Sequence, residues 1–463
     1  MFPTAVLNVV GLTPALLGDD TPHLNALARD GAAAPIRAVL PAVTCTAQAT
    51  FLTGTLPRDH GIVANGWYFR DRAQVAFWQQ ANQLVGGEKV WDAARRRDSA
   101  CTCAQMFWWF NMYSSADWSV TPRPIYPADG RKIPDIYSHP AGLKDRLTAD
   151  IGAFPFFNFW GPTADIRSSR WIAEASLRVD EWMSPTLLLV YLPHLDYNLQ
   201  RLGPDDPRIR ADVRAIDEIC GTLIATLRAR GRRIVVVSEY GLTPARRPVH
   251  INRMLREAGL LAVRDELGLE MLDAGASEAF AVSDHQIAHV YVRDAARIAA
   301  VRSLIERLPG IDAVLDRRQQ ASRGLDHERS GELVAVASPD SWFTYYYWLD
   351  DRVAPDFART VDIHRKPGYD PAELFVDPAL AFPQLTIAVT LAKKALGFRY
   401  LMNVIPLDAT LVRGSHGRVT DRLEDGPLVI SSERGAVEGP VESTAIRDLM
   451  LSHVFDQVPG TTR

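Results

Sequence analysis

Three short apolar runs bounded by turn residues, Ala5 to Val10, Thr186 to Tyr191 and Ile234 to Ser238, constrain this chain more than any other feature. Continuous Val, Leu and Ile over so few residues reads as a strand covered on both faces. Between the last two runs, Ile209, Val213, Ile216, Ile219, Leu223 and Leu227 recur at three- and four-residue spacing, which predicts an amphipathic helix over Arg208 to Arg230. Strand, helix and strand in that order make a β-α-β unit. The expected fold class is therefore α/β, a mostly parallel central sheet flanked by helices, with inserted loops or a small α+β subdomain.

A chain of 463 residues, 47% hydrophobic, can bury one large core with insertions. The expected division is a main domain over 1–280, a small α+β insertion over 281–337, a return to the main domain over 338–435, and a C-terminal tail over 436–463. The middle piece, with a strand at Ile287 to Val292 and a helix over Asp294 to Leu308, reads almost equally well as a continuation of the main sheet. Within the first part, residues from about 84 to 162 are expected as an insertion dense in aromatics, among them Trp91, Trp108, Trp109, Phe159 and Trp160. That stretch fits either long loops covering a site or a buried aromatic minicore.

Net charge is −4, without the basic footprint that neutralising a phosphate backbone demands, which disfavours a nucleic-acid partner. No run approaches the roughly 18 to 20 apolar residues of a membrane span. The first residues read as a core strand rather than a leader. Cys45, Cys101, Cys103 and Cys220 form neither a CxxC pair nor a disulfide framework, so a cytoplasmic location is expected.

In an open α/β sheet, functional groups gather where loops leave the carboxyl ends of strands. Pro41 to Gly54 puts the Thr44 hydroxyl at a helix N-terminus, suited to a phosphoryl group or simply to capping the helix. Asp196 follows one strand, Glu239 and Tyr240 follow another, and His416 sits in an Arg413-to-Arg418 turn. The turn Val361 to Asp370 concentrates Asp362, His364, Arg365 and Lys366, a possible ligand cluster or a solvated charged turn.

These segments, with Thr21-Pro22-His23-Leu24, Thr53-Gly54, His60-Gly61-Ile62 and Asn65, resemble in order and spacing the alkaline phosphatase superfamily, closest to its type I phosphodiesterase/nucleotide pyrophosphatase branch. The resemblance implies a metal-dependent hydrolase of phosphate esters with Thr44 as nucleophile and a phospho-threonine intermediate. It implies a divalent cation, zinc or manganese, as one or two ions held by Asp196, Glu239 and His416, with Asp362 and His364 as replacement ligands. Gln48, Asn65, Arg365 and Lys366 become candidates for binding a small-molecule phosphate ester.

The family's ligand set is only partly kept. Asp196 and His416 match it and Glu239 stands for an Asp, but Val10, Gln200 and Tyr240 replace ligands, leaving two zinc ions under-liganded. Asn8 and His194 are nearby substitutes, while His285 and His289 read as strand residues. The alternatives are a same-fold hydrolase with a rebuilt or single-metal site acting on a sulfate or phosphonate, or a non-catalytic ligand-binding relative.

Overall fold

The strand Leu187–Leu192 is buried at every position and pairs in parallel with Thr4–Val9 on one side and Cys103–Met106 on the other. A computed structural model of the protein describes residues 1–129 and 131–456. Nine strands form the main sheet, in the order Val441–Glu442, Ala32–Arg37, Leu428–Ser431, Arg233–Val237, Thr4–Val9, Leu187–Leu192, Cys103–Met106, Trp118–Pro122 and Ile136–His139. From Arg233–Val237 to Trp118–Pro122 all neighbours are parallel, whereas Leu428–Ser431 and Ile136–His139 run antiparallel to the strands beside them.

The predicted crossover is the helix Ile209–Ala229, which packs on the helix Ile166–Met183. Its Val213, Ile216, Cys220, Leu223 and Leu227 are buried in the main core. Full burial of one such aliphatic side chain contributes about 1.5–3 kcal/mol, so this stripe holds the helix on the sheet.

Residues 279–337 form a separate sheet rather than extending the main one. Its four strands, in the order Ala279–Asp284, Ile287–Val292, Leu333–Ala337 and Ile311–Leu315, are all antiparallel. The first two make a hairpin whose tip residue, His285, adopts a positive φ of 59°.

Two sequence expectations change. The stretch 84–162 is not an insertion, because three main-sheet strands lie within it and Trp91, Phe107 and Trp108 belong to the main core. Its short strands, interrupted by Pro and Gly, hid their membership of a sheet edge. The expected tail pairs Val441–Glu442 with Ile36 and Arg37, and its helix Ile446–Phe455 buries Ile446, Met450 and Val454 in the core. Residues 457–463 of that tail lie outside the described residues. No helix among the described residues is long and apolar enough to cross a membrane.

Candidate active site

Thr44 opens the helix Thr44–Thr53, which is buried along its whole length. Thr44 does not cap this helix: Val43 is the N-cap and supplies no side-chain acceptor. First-turn N–H groups without a cap need another partner. Asn65 is one, since its Oδ1 accepts the Cys45 N–H at 2.9 Å. Asn65 in turn donates from its backbone N and its Nδ2 to the two oxygens of Asp284, at 2.7 and 3.1 Å. The helix start is thereby braced against the hairpin of the second sheet.

Two carboxylates lie under Thr44, each with hydrogen-bond donors around it. The Thr44 hydroxyl is 3.1 Å from the Tyr240 hydroxyl, which donates to Asp196 Oδ1 at 3.4 Å. Gln200 Nε2 donates to Asp196 Oδ2 at 2.7 Å, and Gln200 Oε1 accepts from the Tyr369 hydroxyl at 3.0 Å. Glu239 Oε1 accepts from both Asn8 Nδ2 and Gln48 Nε2 at 2.6 Å. Gln48 Oε1 is itself taken by the Trp109 N–H at 2.7 Å.

Burial raises both acids: Asp196 is pushed up to about 7 against the opposing hydrogen bonds of Gln200 and Tyr240, and Glu239 to about 8. Burial also raises Asp284 to about 6 and lowers His285 and His416 well below the usual imidazole range.

Four rings make one wall. Tyr240 stacks on His416 at 3.6 Å and 6°, His416 contacts His285 at 3.7 Å, and His285 stacks on Tyr369 at 3.6 Å. His416 Nδ1 donates to the Ala42 carbonyl and His285 Nδ1 to Asp284, each at 2.8 Å. Each Nε2 then carries a lone pair, and among the described residues neither has a hydrogen-bond partner, although His416 Nε2 lies 3.8 Å from Asp196 Oδ1. Thr44, Asp196, Tyr240 and these rings line a pocket completed by Trp78, Trp109, Phe156, Phe159, Trp160 and Tyr197, with Arg123, Lys132 and His364 also on its wall.

These residues do not fit a pair of divalent cations. Metal ligation needs free lone pairs converging on one point; both Asp196 oxygens and Glu239 Oε1 already accept N–H and O–H groups, which leaves Glu239 Oε2 as the one carboxylate oxygen of the four without a donor among the described residues. Val10 is a core residue, and the two imidazole rings lie against each other, 3.7 Å apart and tilted by 37°. Among the described residues, no three His, Cys, Asp or Glu side chains are grouped to hold a metal.

Thr44, Asp196, Glu239 and His416 thus come together with Gln48, which donates to Glu239, while Asp362, Arg365 and Lys366 stand apart. Gln48 and Asn65 are spent on Glu239 and on the helix start. Lys366 is buried between Asp370 and Glu373, and Arg365 is exposed beside Asp356, 3.6 Å away. None of these four lines the pocket. His364 does, but Asp362 does not, so the Asp-x-His pair fails to converge on the carboxylates. His194 points away to Asp212, with Nε2 at 3.1 Å from its Oδ1. Asp284, His285 and Tyr369 were missed as site residues, although an Asp-His pair at a strand end was the available signal for the first two.

The sequence model of the type I phosphodiesterase/nucleotide pyrophosphatase family matches residues 4–370. The chain belongs to that family. Its type I phosphodiesterase relatives include an uncharacterized pyrophosphatase/phosphodiesterase of Schizosaccharomyces pombe, 25% identical over 241 residues. That similarity covers 48% of this chain and 41% of the yeast protein, so the chain spans less than half of that relative's length. Phosphonoacetate hydrolase from Sinorhizobium meliloti shares the fold at a TM-score of 0.62 and 14% identity, covering 98% of this chain and 96% of the hydrolase. Murine ectonucleotide pyrophosphatase/phosphodiesterase 5 shares it at 0.58 and 14%, covering 98% and 95%. Divalent-metal dependence is general in the family.

Proposed function

We propose that this chain hydrolyses a small phosphate ester carrying an apolar or planar group, with Thr44 as the acceptor of the phosphoryl group. The observation that carries the reading is the position of Thr44, at the start of a buried helix whose N-cap residue supplies no acceptor and on the wall of an aromatic pocket. Backbone N–H groups and the positive end of the helix dipole favour the phosphoryl oxygens there. Trp78, Trp109, Phe159 and Trp160 supply faces for the leaving group, and Arg123 and Lys132 add positive charge on the wall.

The proton transfers run through the chain's own groups. The Tyr240 hydroxyl proton is committed to Asp196, so Thr44 donates to Tyr240. As Oγ1 attacks phosphorus, its proton passes to Tyr240 while the Tyr240 proton passes to Asp196. The bond to the leaving group breaks, and that group departs with a proton from solvent. Water then cleaves the phospho-threonine: its oxygen bonds to phosphorus as the P–Oγ1 bond breaks, Asp196 returns its proton to Oγ1 through Tyr240, the water's proton goes to solvent, and phosphate or a phosphomonoester is released.

A second reading, a relative that binds phosphate esters without turning them over, draws on the resemblance, in which Gln200 and Tyr240 stand where the family has metal ligands. One experiment separates the two. The purified chain is assayed with p-nitrophenyl phosphate, a p-nitrophenyl phosphodiester and phosphonoacetate, the last because of the fold shared with the bacterial hydrolase. Turnover that Thr44→Ala abolishes, with folding intact, supports the hydrolase. Stoichiometric binding by calorimetry with no turnover supports the binding protein.

A further inference from the structure

From 378 to 407 the chain carries Lys393, Lys394 and Arg399 and not one Asp or Glu. The helix within it, Pro383–Ala395, has no buried residue. Its inner face is half-covered: Ile387 packs on a small cluster of Ala372, Val404 and Ile405, where the pocket residue Val361 also packs. Its outer face is apolar. Leu385, Val389, Ala392 and Leu396 recur at spacings of four, three and four, which makes one stripe. Phe382 and Phe398, 70% and 64% exposed, extend it at the two ends.

Scattered exposed apolar residues need no explanation, but a continuous stripe on one helix does. We propose that this face docks on the surface of an anionic lipid bilayer. A bilayer offers an apolar layer for Leu385, Val389 and Leu396 and phosphate headgroups for Lys393, which flanks the stripe, and for Arg399 just beyond the helix. A second copy of the chain on the same face sets those cations against their own copies, with no carboxylate in the segment to neutralise them. The helix lies on the membrane rather than through it: 13 residues reach about 20 Å, short of the roughly 30 Å hydrocarbon core. Val361 joins the helix's supporting cluster to the pocket wall, which connects the inner face of the helix to the pocket.

The test is sedimentation of the full chain with vesicles of phosphatidylcholine alone or mixed with phosphatidylserine, at low and high salt, with solution mass measured by light scattering. The expected result is co-sedimentation with the mixed vesicles only, weakened by salt. Each cation near such a surface is worth about fivefold in partition, so Lys393→Gln with Arg399→Gln lowers binding roughly 30-fold. Leu385→Gln with Val389→Gln abolishes it. These residues are exposed, and an unchanged circular dichroism spectrum and melting temperature show that the variants fold. The proposal is overturned if the chain ignores the mixed vesicles or if neither pair alters their binding. It is equally overturned if the chain is a dimer that Leu385→Gln with Val389→Gln dissociates, since a second copy then covers the face.

Discussion

Lys366 read as a substrate ligand in the sequence, and its replacement by Met distinguishes that role from the one its surroundings imply. The ammonium is 1% exposed and lies 2.7 Å from Asp370 Oδ2 and 2.8 Å from Glu373 Oε1. The two acids hold it protonated despite burial. Lys366→Met keeps the aliphatic stem but leaves two buried carboxylates unpaired, and breaking such a pair costs about 3–5 kcal/mol. For a chain of 463 residues, an unfolding entropy of about 2 cal/mol/K per residue gives roughly 1 kcal/mol/K. Lys366→Met then lowers Tm by about 4 °C in scanning calorimetry, scaling that cost by the same entropy.

The pocket moves with it. Glu373 accepts from Trp160 Nε1 at 2.6 Å and from the Asp362 N–H at 2.9 Å, so the ion cluster fixes Trp160 and the turn carrying Val361 and Ile363. KM therefore rises together with the loss of stability, and adding Asp370→Asn and Glu373→Gln recovers part of Tm by removing the orphaned charges. A Lys366→Met protein that melts within about 1 °C of the parent, with only KM changed, refutes the buried ion-cluster argument and returns Lys366 to the substrate.

Two further outcomes follow from the site. Glu239 keeps its proton up to about pH 8 in the folded chain, whereas the unfolded chain loses it near the ordinary carboxylate value. Folding stability therefore falls as pH rises through that window, by at most about 1.4 kcal/mol per unit for this group. Glu239→Gln flattens this part of the Tm profile between acidic and mildly basic pH; equal slopes in parent and variant contradict the assignment. Chelation with EDTA leaves the parent's Tm unchanged and elemental analysis finds no stoichiometric zinc, while Val10→Asp with Gln200→His and Tyr240→His introduces zinc binding. A parent that carries a full equivalent of zinc and melts lower after EDTA shows that the hydrogen-bonded carboxylates do yield to a cation.

The sequence by itself determined the parallel core, because continuous apolar runs and a helix of mixed three- and four-residue spacing leave few other ways to bury their side chains. It also ordered Thr44, Asp196, Glu239 and His416 along the chain, since each follows a strand or opens a helix at the same end of one sheet. It could not show the aromatic stretch entering the sheet edge, where short irregular strands are recognisable only beside their neighbours. Nor could it tell which charged turn residues face the pocket. Lys366 and His364 lie two positions apart, yet one is sealed in an ion cluster and the other lines the wall. Only the tertiary structure decided that Tyr240, Gln200, Asn8 and Gln48, from four separate segments, converge on the two carboxylates. A residue's type gives its hydrogen-bonding capacity, but which lone pair it satisfies depends on contacts between positions as far apart as Asn8 and Glu239.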